Sequence, residues 1–125
     1  MLKNKNVLLG VTASIAAYKS SFIVRELKKL GANVKVIQTD SSLDFVSPLT
    51  LSTLSENPVY NKMIDDDSKS WISHVELGLW ADLMLIAPAT AKTMSKMVSG
   101  ECDNLLLTTY LDKFPLYESS YSSIK

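Results

Sequence analysis

The stretch NVLLGVTASIAAYKSSFIVRELKKLGANVKVIQTD, residues 6–40, decides the fold. It opens on an apolar run at 6–11 (NVLLGV) and closes on another at 34–38 (VKVIQ). Runs this short, rich in Val, Ile and Leu on both faces, suit strands buried between helix layers. Between them, residues 14–30 carry a helical pattern. Ile23, Leu27 and Leu30 recur at spacings of four and three, and Ile15, Tyr18 and Phe22 are expected to extend that face. Thr12 or Ser14 can cap the start, Lys28 and Lys29 sit in the last turn, and Gly31 follows. Strand, tight turn, helix, glycine and strand make a βαβ unit with parallel strands and a right-handed crossover.

Working outward, DLMLIA at 82–87 is a third strand, halted by Pro88. Pro48 starts a second helix that runs to about Glu56, with Leu49, Leu51 and Leu54 as its apolar contacts and Asn57-Pro58 as its end. Residues 61–73 are polar and include Asp65, Asp66 and Asp67 in a row, which reads as a solvated surface loop rather than a metal site. Short helices are expected at 74–81 and at 90–99, the latter ended by Gly100. Residues 104–111 (NLLLTTYL) fit either a strand or a helix. From Asp112 the periodicity is lost, so the chain divides into a domain at 1–111 and a divergent, flexible tail at 112–125.

Composition narrows the function classes. A chain of 125 residues holds one domain, and 13 Lys+Arg balance 13 Asp+Glu, which excludes a polybasic nucleic-acid arm. A hydrophobic fraction of 46% fits a globular core rather than a disordered chain. The single cysteine, Cys102, permits neither an internal disulfide nor a zinc cluster. No apolar run approaches the ~20 residues of a membrane span, and MLKNKNVLLGV does not read as a signal peptide. A cytoplasmic protein without nucleic-acid, membrane or metal partners is the expectation.

Ligands of parallel α/β sheets bind beyond the carboxyl ends of the strands. Three segments should meet there: 10–15 (GVTASI), 39–42 (TDSS) and 88–93 (PATAKT). All are small and rich in hydroxyls, and two lead into helices whose amino ends favour an anion. Helix capping explains any one of these Ser or Thr residues, whereas three such turns at one sheet edge point to a phosphate monoester. Gly10 is followed by neither further glycine of GxGxxG, and no GK[ST] is present, so neither a dinucleotide fingerprint nor a P-loop is in play. One phosphate fits a mononucleotide, with FMN the natural candidate. His74, the sole histidine, is a candidate general acid or base near neutral pH. A Ser-His-Asp hydrolase is disfavoured, because no G-x-S-x-G elbow occurs.

The segments GVTASIAAYKS (10–20), FVSPLTLSTLSENPV (45–59), HVELGLWADLMLIAPATAKT (74–93) and GECDNLLLTTYL (100–111) resemble the phosphopantothenoylcysteine decarboxylase family. These are homo-oligomeric FMN-containing cysteine decarboxylases, in bacteria commonly joined to a phosphopantothenate–cysteine ligase. The resemblance implies an α/β fold: a flavodoxin-like Rossmann three-layer sandwich with a parallel sheet, here C-terminally shortened. It implies FMN bound between subunits of a homotrimer or higher homo-oligomer. Ala13, Ser14 and Ile15 fall at the first FMN-contacting turn, Thr39, Asp40 and Ser41 at the second, and Thr90, Ala91, Lys92 and Thr93 at the third. His74 matches the catalytic histidine.

The implied reaction is FMN-dependent decarboxylation of phosphopantothenoylcysteine to phosphopantetheine in coenzyme A biosynthesis. Thiol oxidation to a thioaldehyde precedes CO2 loss and re-reduction by FMNH2. Ala13 stands where the family has Gly, and Lys92 where it has Asn. The family's P-x-M-N-x-x-M-W motif and flap cysteine have no counterpart after Leu111. An FMN-binding but catalytically impaired family fragment, or a regulatory module, is the alternative. A flavin prenyltransferase, which shares Lys-Thr in its third loop, is a further one.

Overall fold

β1 (Asn6–Val11) lies inside a parallel sheet that, among the described residues, has four strands in the order β3 (Val59–Tyr60), β2 (Asn33–Gln38), β1 and β6 (Leu83–Ile86). The structure is a computed structural model that describes residues 2–61, 64–65, 70–71, 74–87, 91–100, 105–107 and 109. On one side β2 (Asn33–Gln38) pairs along the whole of β1, from Asn6 opposite Asn33 to Val11 opposite Gln38. On the other side β6 (Leu83–Ile86) pairs from Val7 opposite Leu83 to Gly10 opposite Ile86. β3 (Val59–Tyr60) extends the sheet beyond β2.

Both faces of β1 are covered, which is why its sequence is apolar without alternation. Val7, Leu9 and Val11 join Val34 and Val36 in one core, closed by Ala17, Val24, Leu27 and Leu51. The last two of these belong to α1 (Ser20–Lys29) and α2 (Pro48–Ser55). Leu8 and Ile37 face the other way and pack with Leu77 and Ala81, and with Leu105 and Leu106. Leu77 lies on α3 (His74–Trp80). Helices on both sheet faces make three layers, as in α/β Rossmann-type folds. Residues 105–107 and 109 are helical, which decides the strand-or-helix alternative at 104–111 for those positions. No helix among the described residues is long and apolar enough to cross a membrane.

The register of the three central strands is held at their amino ends by Asn6. Its N–H donates to Asp82 Oδ2 at 2.9 Å and its side-chain amide to the Trp80 carbonyl at 2.9 Å. Its Oδ1 accepts from Asn33 Nδ2 at 3.0 Å, and its carbonyl accepts from Asp82 N–H at 2.7 Å. A one-residue slip would break this set and turn the apolar side chains to the wrong face.

Three local expectations are corrected. The helix at 14–30 is two pieces: a 3-10 turn at Ile15–Lys19, then α1. Its buried stripe is Ala17, Ser20, Val24 and Leu27, while Ile15 is 80% exposed, Tyr18 55% and Phe22 56%. A 3-10 turn advances ~120° per residue rather than ~100°, which shifts the phase of everything before Ser20. The small Ala17 and Ser20 let the chain approach the sheet closely, a signal that apolar spacing misses. In α2, Leu51 is buried as expected, but Leu49 is 75% exposed. Leu49 follows directly on Pro48, and its N–H is held by the Ser47 hydroxyl at 3.1 Å in the helix cap.

The polar segment 61–73 is not all loop. β4 (Ile64–Asp65) and β5 (Ser70–Trp71) pair antiparallel, with Ile64 opposite Trp71 and Asp65 opposite Ser70. Two-residue strands leave no period to read, because backbone pairing rather than side-chain alternation makes them. The expected tail at 112–125 lies outside the described residues.

Candidate functional site

The chain leaves β1 at the carboxyl edge of the sheet, and two backbone hydrogen bonds there gather the other strands' exits. Thr39 N–H donates to the Val11 carbonyl at 3.0 Å, and Ala87 N–H donates to the Gly10 carbonyl at 3.0 Å. The segments that follow β1, β2 and β6 therefore start side by side, with that of β1 in the middle. The chain passes from β1 to β2 and β3 on one side, then returns to β6 on the other, so β1 lies at the topological switch point. Crevices of this kind are where open α/β sheets bind ligands.

The first turn carries Ala13, Ser14 and Ile15. Ser14 has extended backbone and caps the 3-10 turn, its hydroxyl oxygen accepting from Ala16 N–H at 3.1 Å. That bond uses an oxygen lone pair and leaves the hydroxyl proton to be donated. Ala13 and Ser14 are half-buried and Ile15 is exposed. In the second turn Thr39 is half-buried, and Asp40 and Ser41 are exposed at the start of a 3-10 turn spanning Asp40–Asp44. Thr39 Oγ1 lies 3.4 Å from the Val11 carbonyl, a long bond that closes the gap between the two turns.

For the third turn, Ala91, Lys92 and Thr93 form the first turn of α4 (Ala91–Ser99). Their side chains, and Thr90 as a whole, lie outside the description. The structure thus brings the first two sets together, and the backbone link at Ala87 places the end of β6 beside the exit of β1.

His74 is the first residue of α3, and its side chain lies outside the description. The other end of α3 is fixed: the Trp80 carbonyl accepts from Asn6 at the amino edge, and Leu77 packs with Leu8 and Ile37. Traced back from Trp80 to His74, the helix backbone therefore leads away from the amino edge.

Beneath the second turn, Gln38 was not singled out from sequence, whereas Ser42 lies in the hydroxyl-rich segment 39–42 that was. Gln38 and Ser42 are fully buried. Gln38 Nε2 donates to Ser42 Oγ at 3.3 Å and to the Val46 carbonyl at 3.1 Å. Ser42 Oγ in turn donates to the Thr39 carbonyl at 2.7 Å. Asn61 Nδ2 donates to the Gln38 carbonyl at 2.8 Å. A glutamine ending a buried apolar strand is the one sequence signal that points to this arrangement. Nearby, burial pushes the Tyr60 phenol above its ordinary value, so it stays neutral at physiological pH.

The family model Flavoprotein matches the chain over residues 1–115. The chain belongs to the Flavoprotein family. It is 47% identical over 111 residues to the coenzyme A biosynthesis bifunctional protein of Bacillus subtilis, covering 89% of this chain and 27% of that protein. It is 42% identical over 107 residues to the probable phosphopantothenoylcysteine decarboxylase of Streptococcus mutans, covering 86% of this chain and 60% of that one. Among solved structures it is similar to a PPC decarboxylase mutant complexed with pantothenoylaminoethenethiol. That match has a TM-score of 0.68 and 33% identity, and covers 86% of this chain and 60% of the other. The chain therefore spans about a quarter of its bifunctional relative and three fifths of the two decarboxylases.

Four of the exposed apolar residues follow the first two turns in sequence. Ile15, Tyr18 and Phe22, at spacings of three and four, follow directly from the first turn, and Phe45, 42% exposed, follows the second.

Proposed function

We propose that this chain is the FMN-binding domain of a phosphopantothenoylcysteine decarboxylase, acting in the cytoplasm in coenzyme A biosynthesis. The observation that carries the reading is the meeting of hydroxyl-bearing turns at β1's carboxyl edge, tied by Thr39 and Ala87 to β1, in a chain of this family. The donor set fits the cofactor. Ser14 and Ser41 hydroxyls suit phosphate oxygens, and the exposed Asp40 carboxylate, which would repel phosphate, suits the ribityl hydroxyls. Ala13, Ile15, Thr39, Thr90, Ala91, Lys92 and Thr93 complete the proposed binding turns.

When bound, the flavin supplies a two-electron oxidation of the substrate's thiol-bearing carbon, which lets that carbon's new C=S group hold the electrons released with carbon dioxide. The protein's own part is orientation and proton handling. His74 is assigned to accept the substrate thiol proton and to give it back, as an imidazole can do in either direction. The Lys92 ammonium is assigned to the carboxylate end of the substrate. A homotrimer or higher homo-oligomer is part of the proposal, because a neighbour would cover the Ile15, Tyr18 and Phe22 stripe beside the first turn. A phosphopantothenate–cysteine ligase is the proposed functional companion, in keeping with the bifunctional relative.

The test is to add FMN to the purified chain, remove the free fraction, record the visible spectrum, and assay carbon dioxide release from phosphopantothenoylcysteine. Retained flavin bands and release that depends on His74 are expected. A protein that stays colourless sinks the cofactor assignment. Retained flavin without carbon dioxide release leaves a flavin-binding module and sinks the decarboxylase assignment.

A further inference from the structure

We propose that Gln38 is a positioning residue that holds the second turn, Thr39–Ser41, in the shape that meets the nucleotide. The proposal rests on the FMN reading above and deepens it. Gln38 occupies the last rung of the β1–β2 ladder, opposite Val11, and is fully buried. From there its amide nitrogen reaches both ends of the following 3-10 turn. It bonds Ser42 Oγ, which bonds the Thr39 carbonyl at the entrance, and it bonds the Val46 carbonyl at the exit. The backbone of the same turn closes on Ser42 as well: Ser42 N–H donates to the Thr39 carbonyl at 3.0 Å, and Phe45 and Val46 N–H donate to the Ser42 carbonyl at 3.0 and 3.2 Å. One buried amide therefore fixes both legs of the turn that presents Asp40 and Ser41 to solvent.

The other half of the amide argues that stability is not the reason for a glutamine here. Gln38 Oε1 is buried with no hydrogen-bond partner among the described residues. A buried unmet acceptor is costly, and an apolar side chain of the same length would fill the space without that cost. The site keeps an amide despite the penalty, and what the amide supplies is its two donated bonds. Neither an apolar nor a shorter side chain could span Ser42 and Val46 together.

The experiment compares the full chain with Gln38→Met and, as an independent break of the same link, Ser42→Ala. Three quantities are measured: FMN affinity by fluorescence titration, the urea midpoint, and amide hydrogen exchange. In Gln38→Met the FMN Kd is expected to rise about five- to twentyfold, as expected when roughly one or two hydrogen bonds' worth of ordering is lost. The urea midpoint is expected to stay close to that of wild type, because removing the unmet Oε1 offsets the two lost donated bonds. Exchange at Ser42, Phe45 and Val46 is expected to quicken about tenfold or more, with Val7–Leu9 unchanged. Ser42→Ala is expected to weaken FMN binding and quicken the same amides.

A midpoint that falls in step with affinity in Gln38→Met would make Gln38 an ordinary structural residue and overturn the proposal. Unchanged exchange, or quickened exchange with unchanged affinity, would also overturn it. Failure of the wild-type chain to bind FMN would refute the cofactor reading itself, and the exchange comparison would still decide whether Gln38 clamps the turn.

Discussion

Replacing Gly10 with alanine tests how closely the helical segment at 105–107 is fitted to the sheet beside the site. A Cβ at Gly10 would overlap Leu106 Cδ1 and lie 3.1 and 3.3 Å from its Cδ2 and Cγ. The atoms struck are the far end of a side chain, which in open surroundings would swing aside. Here Leu106 is 1% exposed and enclosed by Leu8, Ile37, Leu77 and Leu105, so little room remains to turn into. Overpacking of this kind costs about 1–3 kcal/mol.

Gly10 lacks the left-handed backbone seen at Gly31 (φ +91), so alanine brings no backbone strain there. Instead it narrows the unfolded ensemble, a gain of about 0.4–1 kcal/mol. The net expectation is a loss of about 1–2 kcal/mol, which lowers a urea midpoint by about 0.5–1 M at an m-value typical of small domains. Leu106→Ala alone should cost about 2–5 kcal/mol through the cavity it leaves. In the double variant the new methyl group enters that cavity, so the combined loss should fall short of the sum by about 1–2 kcal/mol. Urea unfolding followed by tryptophan fluorescence gives all four values. A Gly10→Ala protein as stable as wild type, or a strictly additive double variant, would refute the packing argument.

His74→Asn is expected to lower the decarboxylation rate about a hundredfold or more while leaving the flavin spectrum and FMN affinity unchanged, measured by carbon dioxide release beside a flavin titration. Ser14→Ala should lose about 1 kcal/mol of stability through the missing cap on Ala16 N–H, read from urea midpoints, and should also weaken FMN binding, read from a flavin titration. For Tyr60, whose folded-state pKa is raised by burial, the unfolded chain ionises first as pH climbs past about 10. Stability should therefore fall from there up to the folded pKa, and Tyr60→Phe should remove that part of the fall in alkaline urea titrations. Sedimentation velocity should find an oligomer, with Phe22→Glu shifting it to monomer; a monomeric wild type would count against the shared site.

Much of this protein is legible in residues 6–40. Short runs apolar on both faces can be stable only as strands covered on both sides, and the helix and Gly31 between them leave parallel pairing as the solution. The three strands at the switch point, the helices after them and the hydroxyl-rich turns at one sheet edge all follow from that pattern. Three-dimensional packing decided which face of each helix is buried. Ala17 and Ser20, not Ile15 and Tyr18, face the core, because a 3-10 turn rotates the chain and small residues permit close approach. Likewise, β3, β4 and β5 are two-residue strands made by backbone pairing, too short for a local period to announce them.

The candidate site divides in the same way. The placement of Ser14, Thr39, Asp40 and Ser41 just beyond the strand ends was readable because each closely follows an apolar run in the sequence. Gln38 was not, because its role lies in reaching Ser42 and Val46 across a turn, and side-chain reach is a property of the folded chain. The amino-acid sequence determined the family, the parallel sheet and the chemistry gathered at its edge. Only tertiary structure decided which side chains hold that edge in shape, since a buried hydrogen bond exists only once the fold has excluded water from around it.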